Sequence, residues 1–251
     1  MLVGLLSDVH EDIIRLEEGI EILKKRKVEE IICLGDMIGF CIPYCSYMKT
    51  RDSNRVVELI KNTCQIVVKG NHDLFAIRKI PDYIYSFKYP SNWYDLDYKT
   101  RKELSNDKVW LYEENELYSL LTDNNKAYID NITEYAIKDY GKYKILFSHY
   151  AYPDYTGSSN KKIKKISDLK SHFKMMDEKD CLYSFSGHEH FEGIKIFTKD
   201  TKKEIPFEEK YILPNEPLWI NGPALSNSVL KNGVIIYNAK TREVEAIPLN
   251  T

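Results

Sequence analysis

Apolar positions along this chain fall into short runs, several of which stop abruptly at polar groups. Residues 2–7 read as a first strand, and Ile13, Leu16, Ile20 and Leu23 then share one face of a helix from about Asp12 to Lys27. A run from Glu30 to Leu34, a helix near Ser53 to Lys61 and a β-branched run at 65–68 continue the alternation. Strand, helix and strand in that order predict a parallel sheet with crossover helices.

From Leu74 to about Asn125 the pattern is interrupted. Pro81 and Pro90 break it, helices are expected near 97–104 and 113–121, and Tyr83, Tyr85, Phe87, Tyr89, Trp93, Tyr94 and Tyr98 crowd the segment. Such an insert is placed to cap a site; its rings could stack a nucleobase or close into a small satellite core.

The second half alternates at the strand period. Strands are expected near 126–130, 133–139, 143–147, 181–186, 193–198, 210–213, 217–221, 232–237 and 242–248, with one helix near Ser167 to Met176. Short turns such as Asp130-Asn131 and Lys231-Asn232-Gly233 predict antiparallel pairing here. The class expected is α/β: a four-layer α-β-β-α sandwich of two mixed sheets flanked by helices, one domain over residues 1–251 with a helical insert at about 74–125.

Chemistry gathers where the runs end. Asp8 and His10 follow the first, Gly35-Asp36 the second, Gly70-Asn71-His72-Asp73 the third, and His149 and Gly187-His188-Glu189-His190 two later ones, so five of the six histidines follow apolar runs. Open α/β sheets hold their ligand sites at the carboxyl ends of strands. One-residue spacing in Asp8-x-His10 and His188-x-His190 sends both side chains of each pair to one face of an extended segment.

Each block has a plain reading by itself: Asp8 as a helix cap, Gly35-Asp36 as a turn, His149 as a satisfied core histidine. Their convergence argues otherwise. Asp8, His10, Asp36, Asn71, His149, His188 and His190 are too many ligands for one ion, and two ions about 3.5–4 Å apart sharing a carboxylate would use them all.

In this order the blocks resemble the calcineurin-like metallophosphoesterases, whose pattern is Asp-x-His, Gly-Asp, Gly-Asn-His-Asp/Glu, His and Gly-His-x-His. The stretch Asp36-Met37-Ile38-Gly39-Phe40-Cys41-Ile42-Pro43 is closest to the bacterial and archaeal phosphodiesterase branch. The resemblance implies a β-sandwich flanked by helices. It implies one metal on Asp8, His10, Asp36 and His190 and a second on Asp36, Asn71, His149 and His188. Asn71 and His72 would contact substrate, and His72, not itself a ligand, would face the leaving group. A metal-bridging hydroxide would attack phosphorus in line, and a protonated His72 would stabilise the departing oxygen.

Two departures from relatives matter. Protein Ser/Thr phosphatases and dinucleoside tetraphosphatases extend the second block to Gly-Asp-x-x-Asp-Arg-Gly, with an Asp that orients the catalytic histidine and an Arg that clamps phosphate; here these positions are Gly39 and Phe40. Neither activity is expected as the main one, and the partner of His72 is left without an assignment. Asn221-Gly222-Pro223-Ala224 stands where the branch usually has Asn-Pro-Gly-Ser; no role is assigned to it.

The activity expected is a two-metal phosphoesterase acting on phosphodiesters or small phosphomonoesters, the substrate a small phosphorylated molecule such as a nucleotide. The alternatives are a non-catalytic metal-binding scaffold for a protein partner, and a metal-dependent nuclease. Lys+Arg 36 against Asp+Glu 38 leaves a net charge of −2, which counts against nucleic acid. Lys161, Lys162, Lys164 and Lys165 could draw phosphate locally. Mixed nitrogen and oxygen donors suit Mn²⁺, the ion expected first, and also Fe, Zn, Ni or Co.

Five cysteines without a Cys-x-x-Cys pair fit a reducing, cytoplasmic setting. The start lacks a basic leader, no run is long enough to span a bilayer, and no membrane association is expected.

Overall fold

The computed structural model describes residues 1–249. The first half carries β1 (Leu2–Leu6), α1 (Ile13–Lys25), β2 (Glu30–Cys33), β3 (Phe40–Cys41), α2 (Ser53–Thr63), β4 (Ile66–Val67), α3 (Asn71–Ala76), α4 (Tyr98–Ser105) and β5 (Glu116–Leu117). Then come α5 (Asp123–Asn131), β6 (Tyr135–Asp139), β7 (Lys144–Ser148), α6 (Lys170–Glu178), β8 (Cys181–Ser186), β9 (Ile194–Phe197) and β10 (Lys202–Ile205). The chain closes with β11 (Lys210–Ile212), β12 (Leu218–Asn221), β13 (Gly233–Asn238) and β14 (Glu243–Pro248).

Two six-stranded mixed sheets result, in the orders β11-β14-β13-β1-β2-β4 and β10-β9-β12-β8-β7-β6, with β3 and β5 forming a separate two-stranded ribbon. β1, β2 and β4 are parallel neighbours, as are β7, β8 and β12. Period-two alternation builds the layers. Val3, Leu5, Ile235 and Tyr237 of the first sheet meet Ile145, Phe147, Tyr183, Phe185 and Ile220 of the second between them. On the first sheet's outer face Val234 and Ile236 pack with Leu16, Ile20 and Leu23 of α1 and with Val56 and Ile60 of α2. Leu146 and Trp219 meet Phe173 and Met176 of α6 on the outer face of the second. This is the four-layer sandwich expected.

Four local expectations fail for identifiable reasons. Residues 126–130 are helix, not strand: Thr122 caps α5 by accepting a hydrogen bond from Asn125 N at 3.3 Å, and Ile129 joins the core beneath α1 and α2. Asp130-Asn131 is therefore the end of α5, not a hairpin turn, and Lys231-Asn232-Gly233 joins no antiparallel pair either, because the strands on its two sides, β12 and β13, lie in different sheets. The helix expected at 113–121 is replaced by β5, whose pairing with β3 overrides local propensity. Beyond these, β10 is a strand without a sequence signal, because Lys202, Lys203 and Glu204 are exposed on a sheet edge and carry no apolar alternation.

The aromatic insert forms a satellite core. Phe87, Tyr89 and Trp93 meet edge to face at 4.7–5.6 Å, and the Arg101 guanidinium lies over Trp93 at 5.8 Å. No helix among the described residues is long and apolar enough to cross a membrane.

Candidate metal centre

The carboxyl ends of β1, β2, β4, β7 and β8 converge, and the loops leaving them bring all seven expected ligands to one place. Asp8, His10, Asp36, Asn71 and His149 are buried, whereas His72, His188 and His190 are half-buried and line a cleft. Asp8 is no helix cap: Asp12 caps α1 by accepting from Arg15 N at 3.1 Å, while Asp8 Oδ2 accepts from His188 N at 3.0 Å.

Ligating atoms fall into clusters within 4.8 Å of one another: Asp8, His10 and His190; and Asp36, His149 and His188. Asp36 also groups with His10 and His72, so it lies between the two sets. His190 Nε2 is 3.1 Å from Asp8 Oδ1 and 3.2 Å from His10 Nε2. His149 Nε2 is 3.0 Å from Asp36 Oδ2 and 3.3 Å from His188 Nδ1.

These donors fit metal ions. His10 Nδ1 donates to Gly39 O at 2.8 Å and His149 Nδ1 donates to Leu34 O at 2.7 Å, which leaves each Nε2 directed into the cluster. His10 Nε2 then lies beside His190 Nε2, and His149 Nε2 beside both His188 Nδ1 and Asp36 Oδ2, a gathering of nitrogen and oxygen donors of the kind that holds a divalent cation. Asn71 Nδ2 donates to Tyr112 Oη at 2.9 Å, while its buried Oδ1 has no hydrogen-bond partner. An oxygen in that position is costly without a ligand.

The charges in the cluster follow from its burial and its two carboxylates. Burial works against the Asp8 charge, yet His190, His149 and His10 hold its carboxyl well below the usual range. Burial, with His72 next, pushes His10 down to about 3; burial, with His149 next, does the same to His188. For His149, burial opposes protonation but Asp36 and Asp8 outweigh it and raise the imidazole to about 10. For His72, Glu116 and Asp36 outweigh burial and raise it to about 9.

Asp73 closes the third block structurally. Its carboxylate accepts from Asp36 N at 2.9 Å, Met37 N at 3.0 Å, Ile38 N at 3.3 Å and Gly70 N at 2.9 Å, so it ties the loop carrying Asp36 to the one carrying Asn71. Asn221, given no role from sequence, donates through Nδ2 to Gly187 O and thereby holds the Gly-His-x-His loop. Glu116, Tyr112 and Glu11 reach the site without any motif to announce them. Glu116 Oε2 lies 2.5 Å from His72 Nδ1, filling the partner position that the sequence left open.

The cleft has a volume of about 710 Å³. Lys161, Lys162 and Lys164 line it, as do Tyr44, Trp110 and Tyr112. The aromatics at the cleft are thus not those of the dense run at 83–98.

Residues 1–192 match the family model for the calcineurin-like phosphoesterases. The chain is 30% identical over 78 residues to an uncharacterised protein of Methanocaldococcus jannaschii, a match covering 31% of this chain and only 28% of that protein. Its fold is similar to a metallophosphoesterase of Sphaerobacter thermophilus, with TM-score 0.67 and 18% identity over 100% of this chain and 88% of the other. A hypothetical protein of Pyrococcus horikoshii OT3 is similar at TM-score 0.60 and 14% identity, over 99% of this chain and 88% of that one. With the candidate metal-ligating blocks in order and the fold that gathers them, the chain belongs to the calcineurin-like phosphoesterase family.

Proposed function

We propose that this chain hydrolyses phosphodiester bonds of small phosphorylated molecules with two divalent ions. Asp8, His10, Asp36 and His190 would hold one ion, and Asp36, Asn71, His149 and His188 the other. The observation that carries the reading is the pair of ligand clusters with Asp36 between them, opening on a cleft that His72 also lines. Ions held there would lower the pKa of bound water and neutralise charge on phosphoryl oxygens. Mn²⁺ suits the mixed imidazole and oxygen set, and a reducing cytoplasm suits five free cysteines.

The chain's own groups supply the rest. Tyr112 fixes the Asn71 amide through Nδ2, which leaves the buried Oδ1 as the free end of that amide for an ion. His72, with Nδ1 on Glu116, turns Nε2 toward Asp36 at 4.0 Å. From that side an imidazolium donates a proton to the oxygen that departs as its bond to phosphorus breaks. Lys161, Lys162 and Lys164 offer local positive charge to the phosphate in a chain of net charge −2. About 710 Å³ is far more than a bare phosphate fills, which leaves room for the organic groups of a small phosphate ester.

The test is hydrolysis of a chromogenic phosphodiester and its monoester by chelator-treated protein before and after Mn²⁺ is restored. Activity is expected to return with the metal, to favour the diester, and to fall by about 10³-fold or more in Asp36→Asn, since that change strips the charge shared by both sites. Full activity in Asp36→Asn, or none in any metal-loaded form of folded protein, refutes the reading.

A further inference from the structure

We infer that Glu116, delivered by the ribbon of β3 and β5, is the positioning residue for His72, replacing in space an acidic partner that the second metal-binding block lacks. The inference rests on the phosphoesterase reading for the reaction that His72 serves, but not for the contact itself.

The contact is built rather than incidental. Glu116 is buried, and its Oε2 lies 2.5 Å from His72 Nδ1. β5 reaches His72 because it pairs antiparallel with β3, Cys41 opposite Glu116 and Phe40 opposite Leu117, with Ile42 N donating to Asn115 O at 2.8 Å. β3 follows directly on the loop that carries Asp36. The same strand pairing therefore links the bridging carboxylate to the partner of His72.

Gly39 explains why the acid must come from elsewhere. It has φ +98°, and a Cβ there would lie 2.6 Å from His72 Cβ and 2.7 Å from Nδ1. The ring occupies the room that a side chain at position 39 would need. No acidic side chain fits at 39 while His72 keeps this place, so the acid arrives from across the ribbon.

Glu11 anchors the arrangement from the opposite side. Its buried carboxylate accepts from Gly39 N at 3.3 Å and from Ser119 Oγ, and pairs with Arg51 at 3.3 Å. One carboxylate thus ties the turn before β3 to the strand end after β5. Tyr112, in the same insert, adds a ring 4.9 Å from that of His72. With Nδ1–H committed to Glu116, Nε2 is the nitrogen left to face the cleft. As the phosphorus–oxygen bond breaks, its electron pair stays on the leaving oxygen, which takes the Nε2 proton.

Leaving-group dependence separates this role from general support of the fold. Mn²⁺-loaded wild type, Glu116→Ala, Glu116→Gln, His72→Ala and the double variant Glu116→Ala/His72→Ala are compared on a nitrophenyl diester and an alkyl diester. In Glu116→Ala, kcat on the alkyl diester is expected to fall by about 10²-fold, the range of a lost general acid, with KM nearly unchanged and a much smaller loss on the nitrophenyl diester. Glu116→Gln keeps an acceptor for Nδ1–H and is expected to recover part of the loss. The double variant is expected to be no slower than His72→Ala.

Histidine ¹⁵N spectra of the chelator-treated protein supply a readout free of turnover. A protected Nδ1–H signal of His72 is expected in the wild type and lost in Glu116→Ala. Equal losses on both diesters, additive effects in the double variant, or a His72 signal indifferent to Glu116→Ala overturns the inference. A wild type without turnover that nevertheless shows the Glu116-dependent signal supports the positioning contact and overturns the phosphoesterase reading instead.

Discussion

Five of the residues grouped at the centre adopt backbone angles that side chains rarely take: Asp8 φ 55°, His10 φ 48°, Asp36 φ 51°, His188 φ 70° and His190 φ 49°. Left-handed conformations outside glycine cost about 1–3 kcal/mol each and persist where surroundings over-determine them. Here the surroundings are hydrogen bonds across the site, such as Val9 N and His10 N to Asp36 O at 2.8 and 3.0 Å. Their residue types were legible in the sequence as a spaced set of ligands; the angles that aim them were not, because φ at each is imposed by a partner loop remote in the chain. His172, the histidine outside the set, is a buried group whose Nδ1 accepts from Tyr152 N at 2.9 Å. Burial lowers it to about 3, so below pH 6.5 the unfolded chain takes up a proton that the folded chain refuses, and stability falls as pH drops from 6.5 toward 3. At pH 5 the loss is about 2 kcal/mol. Urea unfolding of wild type and His172→Asn at pH 7.5 and 5 checks this, the wild type losing more on acidification.

Among elements, the β3–β5 ribbon was the least foreseeable and has the most influence on the site. Each of its strands has two residues and no periodicity to detect. It exists because Phe40 and Leu117 pair across a long sequence separation while Glu11, Arg51 and Ser119 brace its ends. The segment leading into β5 carries Tyr112, whose hydroxyl fixes Asn71. Tyr112→Phe removes that hydrogen bond and keeps the ring packing. Mn²⁺ affinity measured by calorimetry is expected to weaken by about 10-fold or more, the usual effect of losing a partner that orients a ligand; unchanged affinity would show that Asn71 needs no such support. By contrast β1 and β2 were readable as continuous apolar runs, and α1, α2 and most later strands by apolar positions that repeat at 3.6 or 2.0 residues.

Across the molecule, the layer between the sheets sets where the loops end up. Phe185 of β8 is fully buried, with its ring 6.2 Å from Phe147 and 5.3 Å from Tyr237 of the opposing sheet. Phe185→Ala opens a cavity there and is expected to cost about 4 kcal/mol of unfolding free energy, measured as a lower urea midpoint. Gly187 and His188 follow within three residues of Phe185, so the same change is expected to weaken metal binding as well.

Pattern alone was enough for the class of fold, the parallel strand order at the start and the set of candidate ligands that the fold gathers, because each of these rests on apolar runs or on residue types at fixed short spacings. The departure at Gly39 was also visible, together with its consequence that His72 lacks its usual acidic partner. Nothing local pointed to Glu116, 44 residues further along among other acidic side chains. Which of Glu113, Glu114 and Glu116 reaches His72 depends on the register of β3 against β5 and on the space that Gly39 leaves open. Register, backbone angle and close approach are properties of segments meeting in space, and only the folded chain selects them.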